Sequence, residues 1–482
     1  MQKLPFPLRL GQKWHTIHAT IEEFLALVDL IIERYGLFHL VMSDPPYHLE
    51  SIAKRFGSAT SSPAKPGRDG AFSRHSAGFM GQIWDGVDSE GVGIAHRPET
   101  WAGIAKLLHP GGFMVLSHAP RTQHKLAYAL AEAGLEFEPI YYNYTTGYFE
   151  TMPSHLAWLK GDSRGMGTSV KGYGAEWDRY QYGAPLKPMV EPILVVRKPH
   201  DEKSTIVNLI KTGAGGYNFN GVNPFMTNGR MPGNQLLTHH PECRRTGFKP
   251  VYVGKNGVYA GGTTKTVYGE FKGLGASVDG VADAEGYEHR WLYECHADCH
   301  VSAMGEEQAR FFTQLDYWHE QTWSDEVARR VSEADPIFYH GSVGAVERNL
   351  GCDHLPTQTR QRVNPGGLAH DPKFAPTHHH KNHHPTLKPV MMWHYFAALF
   401  LPPAKFKPQA FVPFAGTGSE MGACLLAGFD RVLGVEMTAE YLPINEARLN
   451  YIESKSQEID YFERFQLTKD FLLSPPKQAR LL

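Results

Sequence analysis

At 482 residues with 42% hydrophobic content, the chain can bury a substantial core and form two or three structural units. A formal net charge of −2 gives no bulk attraction for nucleic acid, so any such contact needs a local basic surface. Five cysteines argue against a disulfide framework and fit a reducing, cytoplasmic setting.

The N-terminus shows no signal-peptide pattern. The apolar stretch Phe24 to Ile32 is short and contains Asp29, too little to span a bilayer, so no membrane partner is expected. It reads as one amphipathic helix, opened by a Thr20/Glu23 capping box and ended by Gly36. Leu37 to Ser43 is an apolar run and reads as a short buried strand. Asp44-Pro45-Pro46-Tyr47 sits at its carboxyl end, the edge where open α/β sheets bind ligands. The two prolines stiffen this loop. A stiff loop suits a site that must hold a planar amine. A carboxylate oxygen and a proline-locked carbonyl can accept two N–H bonds, favouring the charge that develops as the nitrogen attacks a methyl group. Tyr47 can stack on the ring. The plain alternative is an ordinary turn, which Asp-Pro and Pro-Pro also form.

A loop rich in Ser, Pro and Gly is expected from Ser58 to Gly70. Arg121 to Glu132 reads as a helix stopped by Gly134, and Pro192 to Arg197 as another buried strand. Tyr142 to Pro185 reads as irregular, and residues 220–335 show no strong periodicity. Within them, Arg244, Arg245, Lys249, Lys255, Lys265 and Lys272 face only Glu270 as an acid, among tyrosines and glycines. That mixture suits phosphate contact, and equally a solvated loop. The same region carries two ligand pairs, His239-x3-Cys243 and Cys295-x3-Cys299, able to complete a tetrahedral zinc shell. Free thiols and surface histidines are the alternative. His378 to His380, with His383 and His384, reads as a basic loop rather than a metal site.

A helix is expected from Pro389 to Phe400. After it, Gln409 to Glu436 reads as strand (Ala410–Val412), Gly-containing turn, helix to Ala427, Gly428 stop, and strand (Arg431–Val435) ending at Glu436. Gly416 and Gly418 allow close backbone approach to a ligand. The spacing is not the dinucleotide fingerprint G-x-G-x-x-G. Glu436, about twenty residues on, is placed to accept hydrogen bonds from ribose hydroxyls. Glu440 to Lys455 reads as a closing helix, and Cys424 as a core residue.

These motifs, in this order, resemble the β-class DNA amino-methyltransferases, most closely the phage- and prophage-type N6-adenine enzymes, in which the catalytic loop precedes the cofactor loop. Other segments resemble the same family: Gly78–Gly86 (GFMGQIWDG), Leu108–Ser117 (LHPGGFMVLS), Glu191–Pro199, Phe338-Tyr339 with Glu347-Arg348-Asn349, and His384-Pro-Thr-Leu-Lys-Pro389. The resemblance implies an α/β fold: a Rossmann-like methyltransferase sheet with circularly permuted motif order and an inserted, loop-rich target-recognition region. The implied division is an N-terminal helix (1–35), a catalytic half (36–220), a recognition region (221–335) that zinc could stabilise, and an S-adenosylmethionine-binding half (336–482).

The resemblance also implies roles. Asp44 and Pro45, with Pro46 fixing the loop, would hold the target amine, and Tyr47 would stack on the flipped base. Phe414, Gly416 and Gly418 would line the cofactor, Glu436 would bind its ribose, and Thr386 and Lys388 would lie near its methionine end. Separately from the resemblance, the basic composition makes Arg244, Arg245, Lys249 and Lys265 the candidates for contact with double-stranded DNA, and a homodimer is allowed. One departure stands out: the family's loop opens Asp-Pro-Phe, and here that Asp is Val412. Glu420 or another acid could stand in. The rival readings are N4-cytosine methylation, methylation of RNA or a protein amide, and a silent DNA-binding or decoy module.

Overall fold

A computed structural model describes residues 4–48, 91–137, 190–218, 345–361 and 377–457 continuously. It also describes residues 85, 87, 140–143, 148–151, 155–159, 166–169, 181–184, 235–238, 243–252, 257–259, 262–266, 269–274, 277–279, 285–297, 299–303, 305, 313–315 and 343. The expected loop from Ser58 to Gly70 and the GFMGQIWDG segment, apart from Asp85, lie outside the described residues.

Strands β1 (Leu8–Leu10) and β2 (Trp14–His18) come first. Helix α1 (Ile21–Leu25) carries the expected capping box, with Thr20 and Glu23 bonded reciprocally. It does not run on to Gly36. Leu27 N–H bonds to Phe24 O, a tight turn, and α2 (Val28–Tyr35) starts afresh. Neither Pro nor Gly marks this break, which is why the sequence reads as one helix. Then come β3 (Phe38–Ser43), α3 (Pro98–Lys106), β4 (Leu108–Ser117), α4 (Gln123–Glu132), β5 (His155–Leu159), β6 (Val190–Arg197) and α5 (Thr205–Thr212).

The middle of the chain supplies β7 (Gln235–Thr238), β8 (Arg244–Tyr252), β9 (Gly257–Tyr259), β10 (Gly262–Thr266), β11 (Gly269–Leu274), β12 (Ser277–Asp279), β13 (Tyr287–Glu294) and β14 (Thr313–Leu315). The last part supplies α6 (Val390–Leu399), β15 (Gln409–Val412), α7 (Ser419–Ala427), β16 (Arg431–Glu436) and α8 (Leu442–Ser456).

One eleven-stranded sheet organises these elements, in the order β1-β2-β16-β15-β3-β4-β6-β5-β7-β14, with Glu136–Phe137 beside β6. From β2 to β4 every neighbour is parallel, and β6 then runs antiparallel to β4. Parallel strands buried on both faces read as unbroken apolar runs, because alternate residues feed two cores. Phe113 and Val115 of β4, with Ile193 and Val195 of β6, face α6, α7 and α8. Met114, Leu116, Leu194 and Val196 face α1 to α4. The result is a three-layer, Rossmann-like α/β fold.

Two sequence expectations need correction. Residues 1–35 are not a separate helical unit: β2 pairs with β16 from Trp14↔Val432 to His18↔Glu436, so the N-terminus completes the sheet beside the C-terminal half. Tyr142 to Pro185 is not all irregular either. It contributes β5 to the main sheet and strands to two small hairpins. Aromatic and β-branched residues favour these pairings, while the surrounding glycines hide the pattern.

The permuted chain closes at the centre. β3 and β15 are neighbours, joined by Ala410↔Leu40 and Phe411↔Val41. From β15 the chain passes through α7 to β16 on one side. From β3 it passes through α3 to β4 on the other. This is the topological switch point, where loops leaving the carboxyl ends of two strands diverge and open a crevice.

Arg448 of α8, fully buried, fixes one wall of that crevice. It donates to the carbonyls of Thr417 (3.0 Å), Glu347 (2.5 Å) and Arg348 (3.0 Å) and to Ser419 Oγ (3.2 Å). Arg448→Leu leaves those buried acceptors unpaired, so it should lower unfolding stability in urea by about 3 kcal/mol. A loss below roughly 1 kcal/mol would show that the carbonyls find other donors.

Candidate active site

Asp44, Pro45, Pro46 and Tyr47 follow β3 at the switch point, with both prolines buried. Tyr47 O accepts from Thr122 Oγ1 at 3.0 Å, and His48 N–H donates to Asp85 Oδ1 at 2.7 Å. The loop is therefore tied at its far end as well as stiffened by its prolines.

Three buried charges meet at its tip. Lys388 Nζ lies 2.7 Å from Asp44 Oδ2 and 2.9 Å from Glu191 Oε1, with the lysine side chain only 6% exposed. It also donates to Tyr47 OH at 2.6 Å. The Tyr47 hydroxyl reaches Asp44 Oδ1 at 2.8 Å and makes a short contact with Glu191 Oε1. Ser117 Oγ donates to the same Glu191 oxygen at 3.3 Å. One ammonium thus serves two carboxylates, and one phenolic proton is available to both.

Two negative charges against one positive favour an extra bound proton. Burial raises the Asp44 pKa and Glu191 adds to that, against the pull of Lys388. Burial alone would lower Lys388, but the carboxylates of Asp44 and Glu191 outweigh it and hold the ammonium charged. Burial, Asp44 and Glu191 all push the Tyr47 phenol up, so it stays protonated.

The second loop leaves β15. Gly416 (φ 48) and Gly418 (φ 84) both take the left-handed backbone that glycine tolerates. A Cβ on Gly416 would lie 3.2 Å from His384 Nε2. Glu436 ends β16 and ties the loop: Oε2 accepts Gly416 N–H and Oε1 accepts Thr438 N–H, each at 2.7 Å. With the Thr438 side chain also bonded to it, the carboxylate still has acceptor capacity for a further donor. Burial raises the Glu436 pKa, with those N–H groups opposing. Phe414 is half-buried against Trp101, ring centroids 6.4 Å apart.

Val412 is fully buried in the core and acts as a packing residue. Glu420, in the first turn of α7, is a buried acid. Burial pushes its carboxyl up to about 8, Asp44 adds to the rise, and Lys388 and Arg448 oppose it. Thr386 is partly buried two residues before Lys388. Residues 381–390 are set by the Glu-Arg-Asn segment. Asn349 Oδ1 accepts the N–H groups of Lys381 and Asn382, each at 3.0 Å, and Glu347 Oε1 accepts Val390 N–H at 2.7 Å.

His384 does not belong to a basic loop: burial lowers its pKa to about 3, so the ring is neutral. It packs on Tyr441, centroids 4.6 Å apart. His378 to His380 lie in the strand Thr377–His380, paired with Gln358–Gln361.

The structure thus joins the Asp44–Tyr47 loop to Lys388, sets Glu420 within electrostatic reach of both, and places the glycine loop at the same edge of the sheet. Sequence reading missed Glu191 as a site residue. Its signal was a charged residue opening an otherwise apolar strand. Of the expected DNA contacts, Arg244 is exposed and Lys249 half-buried on β8, while Arg245 and Lys265 lie on β8 and β10. Cys243, Cys295 and Cys299 come together, whereas His239 lies outside the described residues.

No family model matches the chain, and no curated protein matches it. Among solved structures it is similar to a proposed DNA modification methylase from Thermus thermophilus bound to S-adenosyl-L-methionine, at 14% identity, covering 92% of this chain and 96% of that one, TM-score 0.32. M1.HpyAVI in complex with SAM gives 12% identity, 91% and 99% coverage, and TM-score 0.32. The cytosine-N4-specific PvuII DNA methyltransferase gives 10% identity, 94% and 93% coverage, and TM-score 0.36. With TM-scores under 0.5, none of the three bears on function here.

Removing the shared cation tests the site's electrostatics. Lys388→Met leaves Asp44 and Glu191 buried together and should destabilise the fold by roughly 3–5 kcal/mol near neutral pH. Adding Glu191→Gln should recover part of that loss. Additive losses in the double variant would show that the lysine does not compensate the pair.

Proposed function

We propose that the chain is an S-adenosylmethionine-dependent DNA methyltransferase that acts on the N6 amine of adenine in a flipped-out base. The observation that carries this reading is the meeting of the Asp-Pro-Pro-Tyr loop and the Glu436-tied glycine loop at the switch point. One loop suits an amine acceptor and the other suits a methyl donor with a ribose.

The residues fit the cofactor. Gly416 and Gly418 supply the left-handed turns that shape the loop, and the spare acceptor capacity of Glu436 can take ribose hydroxyls. Glu420 supplies a buried carboxyl for a cationic ligand, the role Val412 cannot fill. When bound, S-adenosylmethionine supplies an electrophilic methyl group. The chain's part is to place an amine in line with it and to accept that amine's N–H bonds through Asp44 and the Pro45 carbonyl. Lys388 now occupies the Asp44 oxygen that a target amine would need, and Tyr47 is held by its hydroxyl. Target entry therefore requires both side chains to give way, freeing Tyr47 to stack. A base must leave the duplex to reach this crevice.

Asp at the head of the tetrapeptide favours adenine over the N4 amine of cytosine. The exposed Arg244 and the basic β8–β13 pair suit phosphate contact on double-stranded DNA. A two-stranded ribbon is also a shape that the major groove admits.

Asp44→Ala should abolish transfer to DNA while cofactor binding, followed by calorimetry, stays within about threefold. Equal loss of both would remove Asp44 from its role. A second test uses Glu420. With its carboxyl near 8, the acid is mostly protonated at pH 7, and a cation beside it should drive the proton off. Calorimetry at pH 7 in buffers of different ionisation enthalpy should show release of up to about one proton on cofactor binding, lost in Glu420→Gln. Unchanged release in that variant would rule out Glu420 as the group that meets the cation.

A further inference from the structure

Residues 220–335 show no strong periodicity in the sequence, yet residues 244–294 hold three nested antiparallel strand pairs. β8 pairs with β13, β9 with β12, and β10 with β11, each antiparallel. In the chain the pairs are nested, β10–β11 inside β9–β12 inside β8–β13. Among the described residues, β8 and β13 pair only with each other. An isolated two-stranded ribbon is marginal in water unless something fastens it.

The fastening point is the foot, where the chain enters and leaves. Arg244 lies opposite Glu294 in the register, so Cys243 and Cys295 flank the last pair of the ladder. Past Cys295 the chain turns back, with Cys299 N–H bonded to His296 O at 3.0 Å, which returns a third cysteine to the foot. The Sγ atoms of Cys243, Cys295 and Cys299 all lie within 4.8 Å of one another. None is in a disulfide. Cys299 is buried and the other two are half-buried. The His296 backbone N–H donates to Cys243 Sγ at 3.3 Å.

We propose that Cys243, Cys295 and Cys299 bind a zinc ion that fastens the foot of the 244–294 ribbon. Zinc–sulfur bonds of about 2.3 Å place sulfurs on a tetrahedral ion roughly 3.8 Å apart, so the cluster needs little contraction to close on the ion. Three thiolates form a soft donor set that suits zinc over magnesium or calcium. A fourth ligand completes the shell. The site is structural: it holds the strands that present Arg244 and Lys249, and it takes no part in methyl transfer. Its failure would leave the proposed activity untouched.

The test is metal analysis of the full-length protein, expressed with added zinc and purified in reductant without chelator. About one zinc per chain is expected, against less than roughly a tenth in Cys295→Ser and Cys299→Ser. Cobalt(II) exchanged into the wild-type chain should give thiolate-to-metal charge-transfer absorption. Because the serine variants could unfold, chelator-treated wild type provides a second measurement. Trypsin should then cut within 244–294 at least tenfold faster, while 377–457 keeps its protection. Wild type without zinc, full zinc retention in Cys295→Ser, or a disulfide among the three cysteines would each overturn the proposal.

Discussion

Two backbone pairs hold the account together, Ala410↔Leu40 and Phe411↔Val41. They join strands far apart in the chain and place β15 beside β3 in a parallel sheet. The direction of a parallel strand is fixed, so both carboxyl ends, and the loops that leave them, must open on the same edge. Motif order along the chain then ceases to matter. The Asp44 loop and the Gly416 loop meet because the sheet closes between them. The N-terminal strand β2 adds to this by covering the outer edge of β16, whose last residue is Glu436.

The crevice is built around charge that water does not screen. Lys388 answers Asp44 and Glu191, and Arg448 answers four acceptors from the segments around Glu347 and Thr417. Breaking such a set is costly because the partner left behind stays buried. The same arrangement makes Asp44 a poised group. Its oxygens are already directed at donors, one of them the Lys388 ammonium, which a target amine would replace under the proposed function. Glu420 extends the pattern: burial raises its carboxyl to about 8, and under the proposed function it would become a counter-charge to the cofactor's cation.

Much of the sheet was legible because its strands are buried on both faces and bounded by glycines or prolines. Phe38–Ser43, Gln409–Val412 and Arg431–Glu436 fall within one residue of the expected strands. Gly134 and Gly428 end their helices in left-handed backbone as expected. What the sequence hid is what depends on distant partners. β2 is five residues long and gains its identity from pairing, chiefly with β16. The nested ribbon has glycines through it and lacks the apolar alternation of a half-buried strand. In the crevice, motif residues were recognisable one loop at a time. Local pattern, however, does not show that Lys388 reaches Asp44, or that Glu191 completes the pair. Val412 was legible as a departure, and its burial explains how the fold tolerates it.

The central claim is that the meeting of these two loops transfers a methyl group to adenine. Nucleoside digestion and mass spectrometry of DNA from cells expressing the chain, beside cells expressing Asp44→Ala, test it most directly. The account expects N6-methyladenine above background with the native chain and none with the variant. Absence of the modified base from both, in cells where the native chain is folded and binds S-adenosylmethionine, would contradict it.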